Sequence, residues 1–452
     1  MNFKPSSDLS DKEIASGLNL VVKDGLAAET MVVLTGGTFL TALAVKLGAS
    51  NFQIGLLAAL PTFTNLFQLL AMWLVQHYNN RRVITVVCTA LARFPLVIIG
   101  LMPFLFSAGT TIQTLIFLLF FHYLFGSIAG ATWNSWMKDL LPDNRLGSFF
   151  ANRTRLTQIL NVVLSLSISL MIDYTKEHFP AYETAAYTAL FLAGSVAGLL
   201  GLLTLIYTPE PVGQVQQQNI FRSFREPLQD KNFRKMLLFN ASWIFSVNLA
   251  TPFLTVYMLK TMGLSVFCIT ALAIAGQISG IIFVRIWGRY ADKYSNKTVI
   301  SICAPVYIGS ILAWAFTAAS ASLHFNVLLL VLINIFSGSS IAGVNLSLNN
   351  MGIKLAPKGS AMAYLSAKNM IIACASAGAP LIGGLLADFF STQQWNFFFV
   401  TGAMLAILSM RMLKNIHETG EEKKEIVLGE ILLEIKISVL NIPTSILRRV
   451  KR

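Results

Sequence analysis

Apolar runs of roughly twenty residues, the length that crosses the hydrocarbon core of a bilayer, recur from residue 25 to residue 414 with short polar connectors between them. Backbone groups in lipid must find their hydrogen bonds inside each segment, so runs of this length read as helices. The alternating short strands of a membrane barrel are absent. The polar breaks place spans at 20–47, 53–76, 83–106, 111–137, 153–174 and 184–207, and a second six at 236–259, 265–288, 297–319, 324–348, 364–389 and 395–414. The segment Met1 to Gly17 is polar and mixed in charge, unlike a cleaved signal, so span 1 is expected to act as the insertion signal.

The pattern repeats. Tyr78-Asn79-Asn80-Arg81-Arg82-Val83-Ile84 after span 2 matches Tyr294-Ser295-Asn296-Lys297-Thr298-Val299-Ile300 after span 8. Asn134 and Pro142 match Asn349 and Pro357, Arg153 and Asp173 bracket span 5 as Lys368 and Asp388 bracket span 11, and Phe39-Leu40-Thr41 recurs as Phe253-Leu254-Thr255. Each copy holds six spans, an even number, so both start on the same side of the membrane. The fold expected is an all-α membrane protein of twelve transmembrane helices in two pseudo-symmetric six-helix bundles. Its parts are an N-terminal bundle at 1–207, a cytoplasmic linker at 208–235, a C-terminal bundle at 236–414 and an amphipathic cytoplasmic tail at 415–452.

Charge orients this arrangement. Basic residues gather in alternate connectors (Arg81 and Arg82, Lys138 and Arg145, Arg222 to Lys235, Arg285 to Lys297, Lys354 and Lys358, and the tail), while the opposite connectors hold only Lys46, Lys176 and Lys260. The positive-inside rule then puts both termini in the cytoplasm of a cell whose inner membrane holds the chain. Over 452 residues, 55% are hydrophobic and 12% charged, and mean hydropathy is +0.65, too little charge to solvate soluble domains. The net charge of +13 is dispersed and forms no stripe for nucleic acid. Cys88, Cys268, Cys303 and Cys374 all fall in apolar spans without metal or disulfide spacing, and no phosphate loop, metalloprotease helix or nucleophile elbow is present. Neither an enzyme nor a cofactor is expected.

Gly288-Arg289-Tyr290-Ala291-Asp292-Lys293-Tyr294-Ser295-Asn296-Lys297 resembles the signature connector of the major facilitator superfamily, and the resemblance extends over spans 1 to 12. Between spans 2 and 3, Met72 and Gln76 stand where that signature has glycine and aspartate. Trp133 to Pro142 and Asp230 to Arg234 look like a bacterial branch of unassigned substrate. The resemblance implies a secondary active transporter working by alternating access, with spans 1, 4, 7 and 10 lining a central cavity and span 5 beside span 8. Its partners would be a small-molecule substrate, a coupling ion (a proton) and lipid, with the chain a monomer. Nutrient uptake is the first expectation and drug or metabolite export the second. The rival is a transporter-like receptor, scaffold or lipid-handling protein.

Ionisable residues within spans are functional candidates because hydrocarbon penalises them by about 2.5 kcal/mol or more. Glu29, Arg93 and His122 are the candidates for ion coupling. His122 on span 4 is a proton carrier, an anion contact or a packing histidine; Arg93 pairs within the first bundle, with a direct substrate role as the alternative, and Glu29 either loads a proton or pairs with Arg93 or Lys23. Lys23 and Asp24 are placed at the interface, and Asp173 and Asp388 at the surface or an outer gate. Neutral groups expected on the substrate cavity are Thr35, Thr38, Asn240, Trp243, Asn248, Asn334, Asn345 and Asn349, beside Asn65 and Gln68 of span 2; as a set they suit an uncharged or weakly charged solute. Each has the alternative of bonding a neighbouring helix. An inner gate is expected from Gly288, Arg289, Asp292 and Lys293 with Arg153 and Lys368, in which Asp292 meets the positive end of a neighbouring helix. The glycine pairs 126 and 130, 194 and 198, and 276 and 280 permit close helix approach, and Gly378 to Gly384 resembles a glycine-proline motif of drug antiporters. The tail, from Ile426 to Val439 with Arg448, Arg449, Lys451 and Arg452 beyond, reads as an amphipathic helix on anionic lipid or a partner.

Overall fold

The computed structural model describes residues 5–6, 9–105, 111–141, 146–212, 226–317, 323–357, 361–389, 395–418, 420, 427 and 429–430. The expected centres of the 208–235 linker, the tail beyond Glu430, and Pro142, Arg145, Arg222 and Lys358 lie outside the described residues. Among the described residues, twelve helices are long and apolar enough to cross a membrane: Asp11–Lys46, Asn51–Tyr78, Arg81–Met102, Ile112–Leu140, Ser148–His178, Pro180–Tyr207, Lys231–Lys260, Val266–Lys293, Asn296–Trp314, Asn326–Leu355, Ala363–Phe389 and Trp395–Leu413. They are spans 1 to 12 in order. Span 1 begins nine residues before the apolar run because Ser10 and Glu13 close a capping box, satisfying amides that a helix start leaves open. It bends at Gly36, extended between two helical pieces. Span 2 contains Pro61 and passes through a 3-10 turn at Asn65–Phe67 before resuming; a proline removes one rung of the helical ladder and loosens the turn around it.

Contacts gather the chain into two compact units, one of Met1–Ile220, Val247–Ile274 and Met370–Phe398, the other of Phe221–Ser246, Ala275–Asn369 and Phe399–Arg452. In the first, span 3 packs on spans 4 and 6, span 1 on spans 5 and 6, and span 2 on span 4. Glycines set several approaches: a Cβ on Gly194 would meet Thr35 at 2.6 Å, and one on Gly198 would meet Met31 and Arg93. Gly126 and Gly130 face nothing within 4 Å, so that pair provides space and no helix contact. In the second unit, span 9 packs on span 10, and Gly276 and Gly280 of span 8 lie against backbone carbonyls of Asn334 and Gly338.

Within each repeat a buried carboxylate from the segment after the sixth span clamps the start of the third. Glu210 accepts the amides of Arg81 at 2.8 Å and Arg82 at 3.1 Å, and the Arg81 Nε at 3.2 Å. Arg81 also pairs with the Asp139 carboxylate and donates to the Pro211 carbonyl at 2.9 Å. In the second repeat Glu418 accepts the amides of Asn296 at 3.2 Å and Lys297 at 2.8 Å, with Asn296 Nδ2 at 2.8 Å and Lys354 Nζ at 3.1 Å. The first amides of a helix have no partner inside it and carry its positive end, so a carboxylate there satisfies both demands. The side chains of Glu210 and Glu418 are 1% and 0% exposed. Removing a buried charge from such a network costs up to about 3–5 kcal/mol. Glu210→Ala and Glu418→Ala are therefore expected to lower the thermal midpoint of the purified protein, while exposed Glu177→Ala leaves it unchanged; equal midpoints for all three would show that the clamps do not stabilise the repeats.

Candidate functional site

The break in span 2 opens onto a cavity of 370 Å³, lined by Met31 of span 1, Pro61, Thr64 and Asn65 of span 2, Thr89, Ala92 and Arg93 of span 3, and His122, Tyr123, Gly126, Ser127 and Ala129 of span 4. Its volume lies within the roughly 300–1,000 Å³ of small-molecule sites. Pro61 upstream and Gly126 opposite account for the space: one breaks the helical ladder, the other has no side chain.

His122 is buried, and its Nδ1 lies 2.7 Å from the Ala92 carbonyl. A carbonyl only accepts, so Nδ1 carries the hydrogen and Nε2 is the basic nitrogen of the neutral ring. Ser127 donates to the Thr64 carbonyl at 2.7 Å, and the Asn65 amide oxygen accepts from Gln68 Nε2 at 3.1 Å, which leaves the Asn65 NH2 group to face outward from that pair.

Arg93 is 4% exposed and Asp24 is 5% exposed. The sequence pattern assigns Asp24 to the interface; it is instead the buried partner of Arg93, with Nη2 3.8 Å from Oδ1. Gly201 makes room for the pair, since a Cβ there would stand 3.1 Å from Asp24 Oδ1 and 3.4 Å from Arg93 Nη2. Glu29, also on span 1, is five residues on and so on a different helical face; it accepts from Asn161 Nδ2 of span 5 at 2.7 Å. Arg153, expected at the inner gate, stacks over Trp133 at 5.0 Å and donates from Nε to the Val21 carbonyl at 3.5 Å, beside Gly25.

Of the other expected cavity groups, Thr35 donates to the Met31 carbonyl at 2.8 Å and Thr38 is half-buried. Asn248 bonds Ser376 of span 11 at 2.8 Å. Asn240 is buried with an unbonded amide oxygen, and Trp243 packs 6.1 Å from Tyr307. Asn334 donates to the Leu330 carbonyl of its own helix at 2.8 Å; Asn345 and Asn349 are exposed. Lys368, also assigned to the inner gate, is buried and donates to the Leu348 carbonyl and to Asn349 Oδ1, both at 3.1 Å. Gly288 is half-buried; Arg289 and Asp292 are exposed, and Lys293 pairs with Glu430 of the tail at 2.6 Å, where the Tyr294 hydroxyl also donates at 2.7 Å.

Among the described residues, two aspartates each accept helix-start amides of the other repeat. Asp388, at the end of span 11, accepts the amides of Asn51 and Phe52 at the start of span 2, both at 2.9 Å. Asp173, at the end of span 5, accepts the amides of Val266 and Phe267 at the start of span 8, at 2.9 and 2.7 Å. Both helix starts carry a serine cap for the next amide: Ser50 for Gln53 and Ser265 for Cys268, each at 3.2 Å. Beside the first of these clasps, Gly384 lies on Asn51 and Phe52, Gly55 lies on the Pro380 carbonyl, and Gly383 lies on Leu249 and Phe253. The glycine-proline stretch of span 11 is thus a close-packing surface.

The family model described as Major Facilitator Superfamily matches residues 26–372. Over 202 residues the chain is 25% identical to the multi-drug resistance efflux pump PmrA of Streptococcus pneumoniae, a match covering 43% of this chain and 48% of that protein; the chain spans about half the length of the curated relatives it matches. Among solved structures, a mutant of the nucleoside transporter NupG aligns at a TM-score of 0.70 and 13% identity, covering 90% of this chain and 100% of that one. The xylose transporter XylE of E. coli aligns at 0.66 and 13%, covering 91% and 98%. At such identities these likenesses show the fold, and the family match covers most of the chain: it belongs to the major facilitator superfamily.

Proposed function

We propose that the chain is a secondary active transporter of the inner membrane, with both termini cytoplasmic, that moves a small solute by alternating access and couples it to protons. The observation that carries this reading is the pair of clasps at Asp173 and Asp388, each binding the end of a span in one repeat to a helix start of the other. The positive-inside rule places these ends on the outer side. There the clasps would hold an outer gate shut, and separating them would expose four amides that water can satisfy. Asp388 is exposed and Asp173 half-buried, so neither contact stands to lose much on opening. His122 Nε2 is the proton site this reading favours, with Glu29 as the second candidate. A signalling or scaffold role gives no reason for buried ionisable groups around a cavity. Uptake is the direction favoured; export is the second reading, favoured by the partial match to an efflux pump.

Vesicles containing the purified protein, screened for solute movement with and without an imposed proton gradient, test the function: gradient-driven movement lost in His122→Ala supports it, and solute movement indifferent to the gradient and to His122 rejects the coupling. The gate is tested without knowing the solute. In a cysteine-free background, Gly126→Cys places a thiol in open space in the cavity. Asp173→Ala with Asp388→Ala is expected to speed its modification by an impermeant reagent from the outer side several-fold; an unchanged rate would reject the clasps as a gate.

A further inference from the structure

The cavity among spans 1 to 4 offers hydrogen-bond donors in excess. Arg93 is almost fully buried, yet its Nη1 has no hydrogen-bond partner, and Asp24 Oδ1 has none either, because their 3.8 Å separation is an ion pair without a hydrogen bond. A buried guanidinium nitrogen without a hydrogen-bond partner is costly. Asn65, Thr89 and Tyr123 share the same walls, and no carboxylate of the described residues lines them. Asp24 stands behind Arg93, and the second guanidinium nearby, Arg153, packs at Gly25 beside Asp24. These three charges sum to a single positive one. Glu29 is occupied by Asn161 on another face of span 1.

We propose that this cavity binds the carboxylate of an organic monoanion, with Arg93 of its lining as the charged partner and Asn65, Thr89 and Tyr123 as neutral donors. The inference rests on the transport reading and names the class of its solute. One guanidinium with neutral donors balances one negative charge, and planar carboxylate oxygens match the geometry of guanidinium nitrogens. A phosphate dianion would ask for more positive charge than the walls hold. The apolar remainder of the lining, from Met31, Pro61, Ala92 and Ala129, suits the solute's hydrocarbon part. Asp24 competes for the same guanidinium, which gives the proposal a counter-intuitive consequence: removing that native carboxylate strengthens binding.

The test is equilibrium binding to the purified full-length protein in neutral-lipid nanodiscs, with acetate, benzoate and octanoate each set against its amide. At least one carboxylate is expected to bind tenfold or more tightly than its amide. Arg93→Gln removes that preference, Asp24→Asn keeps or raises it, and Asp24→Asn with Arg93→Gln, which leaves no buried unpaired charge, abolishes it in a protein that remains monodisperse. No carboxylate preferred over its amide, or a preference surviving in the double variant, overturns the proposal. Because no gradient or transport is measured, carboxylate binding by a protein that moves nothing would reject the transport reading alone, and gradient-driven movement of a neutral solute without carboxylate binding would reject this one alone.

Discussion

The structure depends on a single kind of contact, a carboxylate laid across the first free amides of a membrane helix. Those amides have no partner within their own helix and stand at its positive end, so at a membrane surface they need water or an anion. Among the described residues, Asp230 supplies one locally at the start of span 7, and four carboxylates reach a helix start from elsewhere in the chain. Glu210 and Glu418 bind the starts of spans 3 and 9 inside their own repeats, and Asp173 and Asp388 bind the starts of spans 8 and 2 across the repeats. Burial separates the two kinds. The glutamate side chains are 1% and 0% exposed and are woven into arginine, lysine and asparagine contacts, so breaking them would strand charge. The aspartates are half-buried or exposed, and water can replace them. One interaction thus serves as a permanent fastening within each repeat and as a separable one between them.

The cavity depends on how buried charge is compensated. Arg93 cannot stand alone in a span, and Asp24 answers its charge without answering all its hydrogen-bonding capacity. His122 is held by its bond to Ala92 in the tautomer that leaves one basic nitrogen. Gly126 and the 3-10 turn after Pro61 keep that neighbourhood open. The resulting site combines a fixed cation, a titratable ring and neutral donors, a set that can take an anion and a proton together.

Much of this architecture is legible in the sequence because lipid leaves few choices: all twelve spans lie where the apolar runs place them, and the repeat of Tyr78 to Ile84 at Tyr294 to Ile300 marks the two helix starts that the glutamates clamp. Asp173 and Asp388 were visible as matched brackets of spans 5 and 11. What they bind was not, because backbone amides are common to every residue and leave no trace in a pattern of side chains. Glu210 and Glu418 were missed for the same reason, one lying in the segment that reads as a linker and the other at the start of the one that reads as an amphipathic tail. Asp24 was missed because its polar neighbours before span 1 look like an interface; the signal was available in Arg93, which needs a carboxylate, and in the helical faces that separate Asp24 from Glu29. The pair Gly126 and Gly130 has the spacing of a packing motif, but spacing does not say whether a second helix or a cavity lies opposite.

Hydrogen–deuterium exchange of the full-length protein in lipid nanodiscs compares the two kinds of carboxylate contact in one experiment. The account predicts that the amides of Asn51, Phe52, Val266 and Phe267 exchange readily, as the contacts across the repeats open and close, and that those of Arg81, Arg82, Asn296 and Lys297 stay protected. Equal protection at all eight positions, or faster exchange at the glutamate-bound set, would contradict it.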